Sequence, residues 1–257
     1  MLRSAAESSA APRAGGQWAV VVPAKSLDRA KSRMTTELSG PTRRRLVRAM
    51  LLDVIAAALR CPAVDTVAVV TADDELASLA AGAGARVLSE FEEQSAEPVV
   101  VSGGDRTFRY AAAVGLSWAR RGTPPLYRRV AVLASDLPGI SEGELLSALE
   151  AATHVERGFV PDADSAGTTM ATFNAGGESG EDLRTFFGAD SAREFAASGA
   201  HDLAEGARWV GLRRDVDSVA HLNHISDLGE HTTLFVDSWL ADGPGTHEQR
   251  SLGKMKG

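Results

Sequence analysis

Apolar residues follow two periods along this chain. Trp18-Ala-Val-Val-Val22, Asp65-Thr-Val-Ala-Val-Val-Thr71 and Val130-Ala-Val-Leu-Ala134 are short runs dominated by small and β-branched residues. Such runs read as strands covered on both faces, as in a parallel sheet. Between the first two, Leu46, Val47, Met50, Leu51, Val54, Ile55, Ala58 and Leu59 recur at helical spacing, a stripe that a helix buries against the sheet. Ser39-Gly-Pro starts that helix, with proline in its first turn. A second helix is predicted over 72–83, closed by Gly84, and a short strand at Arg86-Val-Leu-Ser89. Residues 18–89 thus read β-α-β-α-β, the mononucleotide-binding half of a doubly wound fold. Further helices are predicted over 108–121, 142–152 and 192–198 and after Ser218, with strands at 158–161, 168–173 and 208–212. The sum is one α/β domain over 17–240 with a mostly parallel central sheet flanked by helices.

The ends differ in character. Residues 1–16 are mostly Ala, Ser, Gly and Arg without an apolar core, unlike a secretory signal, and are expected to be a disordered extension. Residues 241–257 are polar and Gly-rich and are expected to form a flexible tail. A net charge of −7 argues against a nucleic-acid partner, yet leaves room for one nucleotide held by a local cluster of cations. The single cysteine, Cys61, excludes an internal disulfide and a cysteine zinc site and fits a reducing, cytoplasmic setting. No apolar run approaches the roughly 18 residues of a membrane span, so no membrane partner is expected.

Candidate chemistry concentrates where strands end. The run Val130–Ala134 stops at Ser135-Asp136, and Pro138-Gly139 forbid further pairing. An acid there sits where open α/β sheets place their ligands; the alternative is a cap for the following helix, which Ser141 can cap itself. The loop after the first strand carries Lys25, Lys31 and Arg33, either a triphosphate site built from side chains or a solvated basic loop. It is not a P-loop, because no Gly-Lys-Ser/Thr follows a glycine-rich turn. Asp73 and Asp74 either cap the helix after the second strand or line the crevice. Gly103 and Gly104 precede a helix and either present N–H groups to a base or ribose or form a plain turn. Gly167-Thr-Thr169 turns into a strand with N–H and hydroxyl donors suited to a carboxylate or phosphate. Ser191 lies near a helix start, where an anion is favoured, or simply caps it. Asp215 and Asp217, two apart in an extended segment, project together. With Arg213 and Arg214 beside them they form either an Mg²⁺ site or a solvated, ion-paired turn.

Taken in order, Pro23-Ala-Lys-Ser-Leu with Lys31-Ser-Arg33, Ser135-Asp-Leu-Pro138, Val160-Pro-Asp with Gly167-Thr-Thr169, Phe187-Gly with Ser191, and Arg214-Asp-Val-Asp217 resemble the 2-phospho-L-lactate and phosphoenolpyruvate guanylyltransferase family of coenzyme F-420 biosynthesis. The pieces span about residues 18–228. The resemblance implies a single nucleotidyltransferase-type domain, Rossmann-like and GT-A-like. It implies a reaction coupling GTP to a phosphorylated three-carbon acid, with pyrophosphate released. By the same resemblance Asp136, Asp215 and Asp217 hold Mg²⁺ and act in catalysis with Lys25. Thr168, Gly188 and Ser191 bind the acid, and Lys25, Lys31, Arg33, Gly103 and Gly104 bind the nucleotide. The product is reactive, which makes hand-over to a downstream transferase attractive. Two positions depart from the family: Gly104-Asp-Arg-Thr107 stands where Gly-Leu-Asn is usual, and Phe195 where a histidine is common. A sugar-phosphate nucleotidyltransferase or glycosyltransferase on the same sheet, and a nucleotide-binding module without turnover, are the competing functions.

Overall fold

A computed structural model describes residues 17–89, 106–121, 126–174 and 187–242. Gly103 and Gly104, the extension 1–16 and the tail beyond 242 lie outside the described residues. The strands are β1 (Trp18–Pro23), β2 (Val64–Thr71), β3 (Arg86–Ser89), β4 (Arg129–Leu133), β5 (Arg157–Pro161), β6 (Thr168–Asn174) and β7 (His201–Asp202). The helices are α1 (Gly40–Arg60), α2 (Asp74–Gly82), α3 (Arg106–Ala119), α4 (Glu142–Ala152), α5 (Ser191–Ala197), α6 (Val210–Arg213), α7 (Val219–Leu222) and α8 (Glu230–Ala241).

One sheet contains all seven strands in the order β3-β2-β1-β4-β6-β5-β7. Its first four are parallel, and β6 alone runs against its neighbours β4 and β5. The chain builds outward from β1 to β3 and then returns to place β4 on the other side of β1. That reversal is the point where open sheets bind ligands, outside the carboxyl ends of β1 and β4.

Both faces of the sheet are covered, which explains the unbroken apolar runs. Val20 and Val22 pack with Leu51, Val54 and Ile55 of α1. Ala19 and Val21, pointing the other way, pack with Ala111, Ala112 and Leu116 of α3. The approach of α3 is so close that a Cβ on Gly115 would overlap the Val21 side chain. Phe195 is core: it stacks on Phe159 and meets Phe187 edge-on.

Helix starts follow the side chains available to satisfy their N–H groups. Ser39 accepts the Thr42 N–H. Asp73 accepts those of Glu75 and Leu76, which makes it a cap. Ser141 and Glu144 form a capping box on α4, so Asp136 is released from capping. Helix α8, which the apolar pattern did not announce, packs Phe235 and Trp239 against Met50 and Met34. Its first turn donates the His231 and Thr232 N–H groups to Asp53, a buried acid from the middle of α1, at 2.9 Å each.

One predicted element is corrected. Residues 208–212 are not a strand, because Val210–Arg213 is a single helical turn. A four-residue apolar run fits a strand or a buried helical turn equally well. Here the Glu144 carboxylate decides it by accepting the N–H groups of Gly211 and Leu212 at 3.1 Å each. Among the described residues no helix is long and apolar enough to cross a membrane.

Candidate active site

A cleft of about 480 Å³ opens at the carboxyl ends of β1 and β4. The loop after β1 forms one wall with Lys25, Arg29, Lys31 and Arg33. Ser135 and Asp136 form the floor, and the turn 162–169 with Phe187, Gly188 and Ala189 forms the opposite wall. Asp215 and Asp217 enter from below, and Val47, Met50, Leu51 and Leu76 give the cleft an apolar corner. Of the residues proposed from the sequence, Lys25, Lys31, Arg33, Asp136, Thr168, Gly188, Asp215 and Asp217 all line this one space.

The acids converge without the strand expected to carry Asp215 and Asp217. The segment after α6 instead folds back on the turn that follows β4. A Cβ on Gly211 would overlap the Gly139 carbonyl, so only glycine permits this approach. The Val216 N–H donates to the Asp136 carbonyl at 3.1 Å, and the Asp217 N–H donates to His221 Nδ1 at 3.2 Å. As a result Asp136, Asp215 and Asp217 each place a carboxylate oxygen within 4.8 Å of the others.

Lys31 reaches into this cluster. Its ammonium donates to Asp136 Oδ2 and, at 2.9 Å, to Asp217 Oδ1. Its side chain is only 10% exposed, so the lysine is largely removed from water, while Asp217 keeps one side open. Burial pulls the Lys31 pKa down, but the two carboxylates outweigh it and leave it raised. Asp217 feels the opposite balance: burial pushes its pKa up, while the Lys31 charge and hydrogen bond bring it below the ordinary carboxylate value. Asp215 has no such bond to Lys31. Burial first, and then the Asp136 and Asp217 charges, push its carboxyl up to about 7. Arg33 lies 3.4 Å from Asp217 but is 82% exposed, so that contact contributes little.

Lys31 has left-handed backbone, with φ 52° and ψ 41°, unusual for a residue with a Cβ. Its carbonyl accepts the Met34 N–H that opens the 3₁₀ turn Ser32–Thr36, and Met34 is fully buried. The loop is also tied at Leu27, whose N–H donates to Asp73 at 2.9 Å.

The opposite wall is built differently from the sequence expectation. The Gly167 N–H does not face a ligand, because it and the Ala166 N–H donate to the Asp162 carboxylate. Thr168 lines the cleft, but Ser191 is fully buried behind it and donates to Thr168 Oγ1 at 3.0 Å. That bond occupies a Thr168 lone pair and leaves its hydroxyl proton to be donated into the cleft. Gly188 has φ 129°, a conformation that favours glycine, and its carbonyl accepts the Ser191 N–H.

Four participants had no role of their own in the sequence reading, although Asp162 and Arg213 lie in stretches singled out there. Arg29 joins the cationic wall. Asp162 shapes the acid-side turn. Arg213 donates to the carbonyls of Pro161 and Asp162 and to Ser165 Oγ, tying that turn to the segment bearing Asp215. Glu144 anchors α6. Arg29, four residues from Lys25, carried a local signal, whereas Glu144 carried none.

The three carboxylates suit a hard divalent cation, which takes oxygen ligands and one or two carboxylates with substrate phosphates. Opposite them stand cations and a hydroxyl, which suit phosphate and carboxylate groups.

Residues 18–100 match the model of a family described as guanylyl transferase, CofC-like. The chain is 36% identical over 256 residues to a phosphoenolpyruvate guanylyltransferase of Sanguibacter keddieii, covering 89% of this chain and 87% of that one. It is 40% identical over 217 residues to one of Geodermatophilus obscurus, covering 82% and 89%. Among solved structures it resembles a candidate nucleotide-diphospho-sugar transferase from Desulfovibrio desulfuricans. That likeness has a TM-score of 0.56 at 15% identity and covers 88% of this chain and 96% of the other, a likeness of fold.

Proposed function

This chain belongs to the phosphoenolpyruvate guanylyltransferase family, and from that premise we propose that it joins the guanylyl group of GTP to phosphoenolpyruvate and releases pyrophosphate. The product is an activated diphosphate, in which a P–O–P link joins the acid's phosphate to the guanylyl group, and coenzyme F-420 biosynthesis consumes it. The observation that carries this reading is the convergence of Asp136, Asp215 and Asp217 with Lys31 at the floor of a cleft walled by cations on one side and Thr168 on the other.

In this reading a phosphate oxygen of the acid forms a bond to the α-phosphorus while the bond to the β-phosphate bridging oxygen breaks. A phosphate monoester is largely ionised at neutral pH, so no strong general base is needed. The chain's task is positioning and charge. Lys25, Arg29 and Arg33 offer charge to the triphosphate. Thr168, oriented by Ser191, donates its hydroxyl to the acid. Asp136, Asp215 and Asp217 would hold Mg²⁺, which when bound neutralises charge on the attacking and leaving phosphate oxygens.

Pyrophosphate release from GTP, Mg²⁺ and phosphoenolpyruvate tests this directly. Turnover requiring all three is expected. No release with phosphoenolpyruvate, or equal release with a sugar 1-phosphate in its place, overturns it. GTP is expected to outperform ATP, and equal use of both refutes that preference.

A further inference from the structure

Lys31 is one of several cations along the loop, but it does something the others do not. Its ammonium bonds two of the three acids at the floor of the cleft. Its backbone is held in place by the buried Met34 and by the 3₁₀ turn that Lys31 opens. The point of attachment is therefore fixed, while four methylene groups leave the ammonium free to pivot over several ångströms. The cluster holds three carboxyl groups against the single positive charge of Lys31. The two carboxylates that Lys31 bonds, those of Asp136 and Asp217, belong to the three-acid cluster in which one oxygen from each acid lies within 4.8 Å of the others.

We propose that Lys31 is a resident counter-ion that competes with the divalent cation for Asp136 and Asp217, and that it yields those oxygens only when nucleotide phosphates offer its ammonium a new partner. This rests on the reading of the three acids as the metal site. An ammonium and a divalent ion cannot share two carboxylate oxygens at close range without strong repulsion. The divalent ion alone must therefore evict Lys31 into water or into an uncompensated position. With a triphosphate present, the evicted charge is reused on phosphate oxygens. Metal and nucleotide then bind cooperatively, and the coupling resides in one side chain.

The test titrates Mn²⁺, read by its free-ion electron paramagnetic resonance signal, into the full-length protein and into Lys31→Met and Lys31→Gln, without nucleotide and with a non-hydrolysable GTP analogue. The glutamine variant keeps hydrogen-bonding capacity, and circular dichroism checks that each variant is folded. In the native protein the analogue should tighten Mn²⁺ binding at least tenfold. In either variant Mn²⁺ alone should bind at least tenfold tighter than to the native protein, since one positive charge beside the ion is gone, and the analogue should add much less. Unchanged or weaker Mn²⁺ binding by a folded variant overturns the counter-ion proposal, while the acid cluster stands if native binding persists with the analogue. Should Asp136→Asn bind Mn²⁺ with the analogue as the native protein does, the metal-site reading fails instead, and the proposal fails with it.

Discussion

Asp215 offers the sharpest quantitative test of the cluster. Its carboxyl is raised from the ordinary 3.8 to about 7, by burial and by its two acidic neighbours. A raised acid in the folded state means that the native protein binds more protons than the unfolded chain between those two values. Stability therefore falls as pH rises through that window. At about 1.4 kcal/mol per pH unit the full cost at neutral pH is roughly 4 kcal/mol. The cleft is open to water on one side, so about 2 kcal/mol is the realistic part. Asp217, held below the ordinary value, titrates only in more acidic solution, and Lys31, raised, only in strongly alkaline solution. Between pH 5 and 8 the slope from this cluster thus belongs to Asp215. Asp215→Asn removes the charge with little change of shape. In a chelator at pH 8 it should melt about 4–8 °C above the native protein, at 2–4 °C per kcal/mol for a chain of this size. The gap should narrow as pH falls through the window and close only near pH 4, where the carboxyl is protonated in the unfolded chain as well. Mg²⁺ with GTP should reverse the ranking at pH 8, because the native protein then regains a partner for its charge. Thermal melts over this pH range are the assay, and a variant that melts at or below the native protein at pH 8 would refute the picture of an over-charged cluster.

The other perturbations probe single tethers. Asp136→Asn should keep the fold but lose turnover by on the order of a hundredfold, measured as pyrophosphate release; near-native turnover would sink the metal assignment. Glu144→Ala removes the acceptor for two N–H groups of α6 and part of the α4 capping box. It should cost about 2–3 kcal/mol in denaturant unfolding and lower activity at sites it never touches, whereas unaltered activity would show that α6 does not set the positions of Asp215 and Asp217. Ser191→Ala deletes the donor to Thr168, worth roughly 1 kcal/mol. The KM for the acid should rise about fivefold while that for GTP stays constant, and the reverse ranking would move Ser191 away from the acid.

Much of the fold could be read in the chain because parallel strands covered on both faces leave a simple mark: Trp18–Val22 and Val130–Ala134 have no polar interruption. Asp136 was legible for the same reason, as the first acid after such a run. Asp215 and Asp217 were legible as a pair, but the strand expected to carry them is a helical turn. What replaces it depends on Glu144, some 67 residues away in sequence, and on the mutual approach of Gly139 and Gly211. Neither leaves a local pattern. Arg213 was noticed only as a neighbour of the acids, and its bonds to the 161–165 turn exist only once the sheet is assembled. Ser191 was placed near a ligand by its helix start, whereas burial puts it one hydroxyl further back.

The way the acid-bearing segment is held bears on how the cluster is to be understood. It is fixed to the turn after β4 by the Val216 N–H on the Asp136 carbonyl, by the Gly229 N–H on the Pro138 carbonyl and by Glu144 on α6. None of these bonds uses the carboxylates of Asp136, Asp215 or Asp217. The fold therefore brings three acids together against their mutual repulsion and offsets that cost with backbone bonds and with one lysine. Each acid can be neutralised singly without cutting a tether. A loss of turnover in a folded Asp136→Asn or Asp217→Asn protein is for that reason a statement about charge at the reacting phosphates and not about the scaffold.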